Sequence, residues 1–163
     1  MQIIIKNKNT IFLDEFKLKC VLGVNGISLK KKEGDLKTPK GTFTLGPLFY
    51  RKDKISKIET QLKKIPIKKN MYWCNDIKSK YYNKLVTSTK VGSHEKMFRK
   101  DDKYNLVIVI NYNTKKIIKK KGSAIFLHLT KDYKKTEGCV AIRKNDMLVL
   151  LKIINKKTKI KIY

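Results

Sequence analysis

The hydrophobic and polar positions of this chain mostly follow the two-residue period of β-strands. The C-terminal run Thr158–Tyr163 is the clearest case, since its isoleucines alternate with lysines that we expect to face solvent. Leu106–Ile110 is apolar at every position, which is typical of a central strand covered on both faces. A hairpin turn is expected over Lys6–Thr10. The pattern predicts strands at residues 3–5, 11–13, 18–22, 41–45, 106–110, 123–128 and 158–163.

One helix is predicted near the C-terminus, where the period changes. Asn145 is expected to cap it, and Asp146 lies near its N-terminus. Its apolar side comprises Met147, Leu148, Leu151 and Ile154. The middle third, residues 52–105, is the least periodic part, and we expect long loops over the sheet with short strands or turns. No internal repeat or linker interrupts the chain, so residues 1–163 are expected to form one domain.

The candidate chemistry lies around one of the two histidines and one of the three cysteines of the chain. His128 ends the predicted strand Ser123–His128, and Cys139 follows Gly138 in the loop after it. A thiolate paired with an imidazole attacks carbonyl carbons, so the pair indicates acyl transfer through a thioester. Because a thiol has a pKa of about 8.5, we expect His128 to accept its proton and form a thiolate–imidazolium pair.

Gly138 adds to this picture, because glycine permits a tight turn. The backbone amides of Gly138 and Cys139 are therefore expected to point at a developing oxyanion. A plain structural alternative stays open: His128 would be a strand-end histidine bonded to a carbonyl, and Cys139 a buried thiol.

The rest of the sequence excludes several other kinds of site. The cysteines are odd in number with no CxxC pair, which argues against a disulfide framework and a cysteine-rich zinc site. Cys20 is expected in the core, and Cys74 is ambiguous. With no metal-ligand set and no Walker-type glycine loop, neither a metal nor a cofactor is expected.

The chain is strongly basic, with 40 Lys and Arg against 13 Asp and Glu and a net charge of +27. Such a surface attracts polyanions, among them anionic envelope polymers and nucleic acid. The lysines, however, are scattered among many Ile and Asn residues, as coding from an AT-rich genome favours, so no specific nucleic-acid surface is expected. The runs Lys30–Lys32 and Lys119–Lys121 are expected at solvated turns.

No window approaches the roughly 18 apolar residues of a membrane span, so no transmembrane segment is expected. The N-terminus does not resemble a signal peptide. On this reading the chain is cytoplasmic or already processed.

Longer motifs surround the His/Cys pair. Thr136-Glu-Gly-Cys-Val-Ala-Ile142, preceded by Gly122–His128, resembles the L,D-transpeptidase catalytic domain (YkuD-like) of bacterial peptidoglycan enzymes. Glu33–Phe43 is similar to that family's N-terminal signature, in which a Thr-Pro-x-Gly turn leads into a strand. Residues 72–76, 82–83, 93–95 and 112–113 resemble motifs of a stand-alone subgroup. The resemblance covers the chain from roughly Cys20 to the C-terminus.

This resemblance implies a mainly β fold, a sandwich or barrel-like sheet with one or two short helices. It implies that Cys139 attacks a stem-peptide carbonyl between the third residue, often meso-diaminopimelate, and D-alanine. His128 would act as base and then as acid, oriented by the backbone carbonyl of Leu129. D-alanine would leave, and the thioester would pass to an amine (L,D-transpeptidase) or to water (L,D-carboxypeptidase). These reactions belong to the periplasm or cell envelope, although no export segment is visible.

The motifs also depart from the family pattern. Thr136 stands where serine is common, and Ala141 stands where arginine is common, with Arg143 two places further on. The alternative to a substrate contact is an ordinary loop position for His94 and a place against the sheet for Trp73 and Tyr82. A monomer that binds stem peptides is expected; a non-catalytic basic domain that binds peptidoglycan or another polyanion is the alternative function. The substrate-binding candidates are His94, Thr136, Trp73, Tyr82 and Arg143.

Overall fold

The computed structural model describes residues 1–6, 9–29 and 31–163. It is built almost entirely from β-strands joined by turns, as the period-two pattern predicts. The strands are β1 (Gln2–Lys6), β2 (Thr10–Leu13), β3 (Phe16–Lys19), β4 (Ile27–Ser28), β5 (Thr38–Pro39), β6 (Gly41–Tyr50), β7 (Lys64–Pro66), β8 (Tyr72–Cys74), β9 (Leu85–Val86), β10 (His94–Lys96), β11 (Leu106–Ile110), β12 (Phe126–Leu129), β13 (Val140–Ile142) and β14 (Lys159–Ile162). The α-helix that the described residues form is α1 (Lys144–Ile153).

The main sheet nearly closes into a barrel. Its strand order is β13-β12-β11-β6-β14-β1-β2-β3, and β7 pairs with β6. Val21, just after the edge strand β3, donates to the carbonyl of Ala141 in the other edge strand β13 at 2.9 Å and accepts from Ala141 N at 3.0 Å. The two ends of the sheet therefore meet, and the prediction of a mainly β, barrel-like fold with one or two short helices is confirmed.

Strand β11 separates two buried clusters and confirms the prediction of a strand covered on both faces. All five of its residues are buried. Leu106, Ile108 and Ile110 pack in the cluster that includes helix α1. Val107 and Val109 pack in the other cluster, with Trp73 and Phe126. The cavity described below lies on this second side.

Several predicted strand limits shift for identifiable reasons. The hairpin of β1 and β2 is confirmed, while Asn7 and Lys8 in its turn lie outside the described residues. The predicted strand over 18–22 is wrong in its limits, since β3 ends at Lys19 and the chain then crosses to β13. The strand predicted from Ser123 begins only at Phe126, because Ala124 takes a left-handed conformation with φ 52°.

Helix α1 begins earlier than predicted. Arg143 is its N-cap, with extended backbone and no side-chain capping bond, so the expectation that Asn145 caps the helix is wrong. Asp146 does lie in the first turn. The fully buried helical residues are Met147, Leu150 and Leu151. None of the described helices is long and apolar enough to span a membrane.

The middle third confirms the expectation of loops with short strands. It contains β7 to β10, and β10, β8 and β9 form a small separate sheet in that order. Trp73 joins this small sheet to the main one, since its ring packs edge-on against Phe126 at 5.1 Å between centroids. Cys74 is buried here, and Cys20 is buried in the main core as predicted.

One expectation about the lysine runs is wrong. Lys31 is only 6 % exposed, because its ammonium is paired with Asp35 at 2.8 Å and its chain lies under Gly122. Lys30 lies outside the described residues, and Lys119–Lys121 are exposed as predicted.

Candidate active site

The parallel pairing of β12 with β13 brings the candidate base and nucleophile together. Leu127 lies beside Val140, and His128 beside Ala141. Cys139, one residue before Val140, is therefore level with Phe126. Because side chains alternate along a strand, Cys139 and His128 project from the same face of neighbouring strands.

Both side chains open onto a cavity of about 340 Å³. Its wall is assembled from separate parts of the chain: the loop after β4, strand β10, the segment before β11, and the stretch from Ser123 to Ala141. These parts are distant in sequence and meet because β12 and β13 run side by side under the small sheet. The cavity is large enough for a peptide segment.

His128 is held as a neutral base. It is 7 % exposed, and its Nδ1 lies 2.9 Å from the carbonyl oxygen of Leu129. A carbonyl only accepts hydrogen bonds, so Nδ1 carries the proton and Nε2 keeps its lone pair. The pKa of His128 is lowered to about 4, chiefly by burial; the Leu129 bond opposes this shift, and the cations of Lys103 and Arg99 add to it.

Cys139 rests as a thiol. Its Sγ donates to the carbonyl of Ala124 at 3.2 Å and accepts from Phe126 N at 3.4 Å. Burial, and next the carboxylate of Glu95, raise the pKa of Cys139 to about 12, although the residue itself is half-buried. Both pKa shifts favour uncharged groups in the resting site, in place of the expected thiolate–imidazolium pair.

Thr136 shapes the turn before the nucleophile. Its Oγ1 donates to the carbonyl of Cys139 at 2.6 Å and accepts from Gly138 N at 3.2 Å. Gly138 has φ 137°, and a Cβ there would lie 2.8 Å from the carbonyl oxygen of Lys37, so the position requires glycine. Since the Gly138 amide is occupied by Thr136, the expectation that it faces an oxyanion is wrong in this state. The Cys139 amide has no hydrogen-bond partner in the described part of the chain.

Comparison with known proteins assigns the chain to a family. A model of the YkuD family, the L,D-transpeptidase catalytic domain, matches residues 2–162. The chain belongs to this family. No curated protein sequence matches the chain.

Solved structures show the same YkuD-type fold. The "helical cell shape determining protein Pgp2" of Campylobacter jejuni, in a mutant form, is 17 % identical with a TM-score of 0.50, over 99 % of this chain and 46 % of that one. Bd1075 of Bdellovibrio bacteriovorus is also 17 % identical, with a TM-score of 0.51 over the same shares of 99 % and 46 %. The chain spans about half the length of the solved structures it matches.

Two of the predicted substrate contacts of this YkuD domain lie in its interior instead. Trp73 is 7 % exposed, and its indole Nε1 donates to Asn83 at 2.9 Å. Tyr82 is 1 % exposed, and its hydroxyl donates to Glu33 at 2.5 Å and accepts from Gly122 N at 3.0 Å. Both side chains hold the loops behind the cavity, so we withdraw them as substrate contacts.

The other two withdrawn candidates point away from the cavity. His94 packs edge-on against Tyr72 at 4.9 Å between ring centroids, and its Nδ1 contacts the carbonyl of Gly92 at 2.7 Å. Arg143 is exposed at the start of α1, with its guanidinium 5.1 Å from the ring of Tyr133. Arg143 therefore does not replace the arginine that the family often has at the position of Ala141. Of the substrate candidates, Thr136 does line the cavity.

The sequence analysis did not propose Lys31, Glu95 or Tyr104 as site residues, although all three line the cavity. The Tyr104 ring packs against His128, with 5.4 Å between centroids, and its hydroxyl donates to Glu95. Side chains alternate along a strand, so Glu95 faces opposite to His94 in β10. This alternation indicates that one of the two, but not both, lines the cavity.

Proposed function

We propose that this YkuD domain is a cysteine-dependent L,D-transpeptidase acting on peptidoglycan stem peptides. The observation that carries the proposal is the placement of Cys139 and His128 on one face of paired strands, at one cavity. The Leu129 contact supports it, since it leaves Nε2 of His128 free to act as a base.

In the first step Nε2 of His128 takes the thiol proton as Sγ of Cys139 attacks the carbonyl carbon of the third stem residue. Because both groups rest uncharged, proton transfer accompanies attack and does not precede it. The amide of Cys139 is the available donor to the developing oxyanion. The imidazolium then protonates the departing amine of D-alanine, which leaves a thioester on Cys139.

In the second step His128, neutral again, removes a proton from the acyl acceptor, which attacks the thioester and releases Cys139. An amine acceptor gives a cross-link. Water gives L,D-carboxypeptidase chemistry, and the half-buried, solvent-reached position of Cys139 is compatible with this second activity. We place either reaction in the cell envelope, where the net charge of +27 favours contact with anionic polymers.

The test is incubation of the protein with tetrapeptide muropeptides, alone and with an amine acceptor, with products identified by mass spectrometry. We expect release of D-alanine by the native chain and loss of this activity in Cys139→Ala and His128→Gln. Equal release by Cys139→Ala contradicts the proposal. Salt-dependent muropeptide binding without turnover would instead support a non-catalytic basic binding domain.

A further inference from the structure

The cavity wall differs in charge from the rest of the molecule. Over the chain, 40 basic residues face 13 acidic ones, but among the charged residues of the wall five are basic and four acidic. Acidic side chains are thus concentrated where the substrate would bind. The acidic residues of the wall are Glu33, Glu95, Asp132 and Glu137.

Of these four residues, Glu95 has a carboxylate that one hydrogen bond holds in place while its second oxygen accepts no hydrogen bond from the described residues. Its Oε1 accepts from the hydroxyl of Tyr104, whose ring in turn packs beside His128. Its Oε2 accepts no hydrogen bond from the described residues. By contrast, Glu33 is bound by Tyr82 and Ser123.

One cation of the wall, Arg99, forms only a long ion pair with Glu95. Arg99 directs Nε and Nη2 to Asp101 at 2.9 and 2.7 Å, while its Nη1 stays 4.0 Å from Oε1 of Glu95. Lys31, the buried cation of the wall, is paired with Asp35 at 2.8 Å. Arg99 is therefore shared between Asp101 and Glu95, with the longer contact to Glu95, and it does not reach Oε2 of Glu95.

This placement works against the nucleophile. A carboxylate near a thiol disfavours the thiolate, and Glu95 is the largest charged contributor to the raised pKa of Cys139. A bound cation would neutralise Glu95 and remove this effect at the moment when the substrate is in place. Peptidoglycan stems supply such cations as side-chain or acceptor amines.

We propose that Oε2 of Glu95 binds an ammonium group of the peptidoglycan stem, and that Cys139 reaches full reactivity only when this group is bound. This inference rests on the proposed function, because it assumes that the cavity takes stem peptides. It makes Glu95 a determinant of specificity and a ligand-controlled brake on the nucleophile.

The first test measures binding without turnover. Calorimetry on Cys139→Ala compares a stem tetrapeptide carrying a free side-chain amine on its third residue with the same peptide acetylated there. We expect the free amine to bind about 10- to 100-fold more tightly, as charge-assisted hydrogen bonds allow. Cys139→Ala/Glu95→Gln should lose this preference, and Cys139→Ala/Glu59→Gln should keep it, because Glu59 is exposed and lies outside the cavity wall.

Three controls make the outcome decisive. Glu95→Gln keeps a hydrogen-bond acceptor for Tyr104, and its thermal unfolding curve verifies that it folds. If Glu95→Gln does not fold, Glu95→Asp replaces it. The shorter side chain draws the charge back from the cavity and should weaken the preference for the free amine. The acceptor amine is tested separately, by comparing its KM in the native chain and in Glu95→Gln. A change in this KM or in the preference for the free side-chain amine supports the ammonium site. In the ligand-free protein, alkylation of Cys139 by iodoacetamide should be about three- to tenfold faster in Glu95→Gln.

The inference is overturned if Glu95→Gln changes neither the preference for the free amine nor the KM of the acceptor amine. It is also overturned if Glu95→Gln leaves the alkylation rate of Cys139 unchanged. If neither peptide binds and no D-alanine is released, the proposed function itself fails. Turnover by the native chain, with both the amine preference and the acceptor KM unchanged in Glu95→Gln, would contradict this inference alone.

Discussion

At the scale of single residues, burial favours the uncharged forms of His128, the proposed base, and of Cys139, the proposed nucleophile. The same cause lowers the pKa of His128 to about 4 and raises that of Cys139 to about 12. The site therefore has a thiol in place of a preformed thiolate, beside a neutral histidine whose tautomer is fixed by the Leu129 carbonyl. A thiol of this kind reacts little with stray electrophiles.

The lowered pKa of His128 has a consequence for stability. Between pH 6.5 and about 4 the unfolded chain binds a proton that the folded chain does not, so this contribution is present above pH 6.5 and is lost as pH falls. Over that window we expect the free energy of unfolding of the native chain to fall by up to about 3 kcal/mol, and we expect no such fall from this cause in His128→Gln. Urea unfolding at several pH values measures the difference, and parallel curves for the two proteins would contradict it.

Thr136 is expected to matter through its hydroxyl. Thr136→Val removes the bonds to Gly138 N and to the Cys139 carbonyl and should cost about 1–3 kcal/mol of stability. It should also lower kcat/KM for D-alanine release by about 10- to 100-fold, because the nucleophile loses its fixed position. Thr136→Ser retains the hydroxyl and serves as the control. Equal activity of the valine and serine variants would show that the turn holds without this hydroxyl.

At the scale of elements, Tyr82 fastens the loop after β4 to the segment before β12. Its hydroxyl contacts Glu33 at 2.5 Å and Gly122 N at 3.0 Å. Tyr82→Phe leaves these groups without their partner and should lower the free energy of unfolding by about 1–3 kcal/mol. The neighbouring Tyr81 is 41 % exposed, so Tyr81→Phe should change it by less than about 0.5 kcal/mol. Similar losses in chemical denaturation of both variants would refute this role.

The elements most accessible to sequence reasoning are those whose pattern is fixed by burial. β11 and β14 could be predicted, because a strand buried on both faces and an amphipathic strand have distinct patterns. The limits of β3 and β12 could not, since they depend on where the chain crosses to another strand or adopts a left-handed residue. The start of α1 was missed because no side chain caps it.

The same distinction applies to the site. Local motifs indicated His128, Cys139, Thr136 and the Leu129 carbonyl. The opposite wall is contributed by Lys31, Glu95 and Tyr104, which are far apart in sequence and meet only through tertiary packing. Trp73 and Tyr82 were misplaced because an aromatic ring suits a cleft and a core equally well.

At the scale of the whole molecule, a net charge of +27 on 163 residues opposes the compact state through self-repulsion. Raising the salt concentration from about 10 to about 150 mM shortens the screening length from about 30 to about 8 Å. We therefore expect the Tm to rise with sodium chloride and to rise equally with choline chloride at the same ionic strength. Scanning calorimetry measures both, and a flat or falling Tm would show that self-repulsion is not significant.

The nearly closed barrel and the active site are parts of one arrangement, because the strand edge that closes the sheet at Ala141 also carries Cys139. The central claim is that Cys139 forms a thioester with the stem peptide. The most direct test is mass spectrometry of the intact protein shortly after mixing with a tetrapeptide muropeptide. We predict an adduct equal to the muropeptide less D-alanine, located on Cys139 by peptide mapping and absent from Cys139→Ala. Release of D-alanine with no adduct, at the same rate in Cys139→Ala, would contradict it.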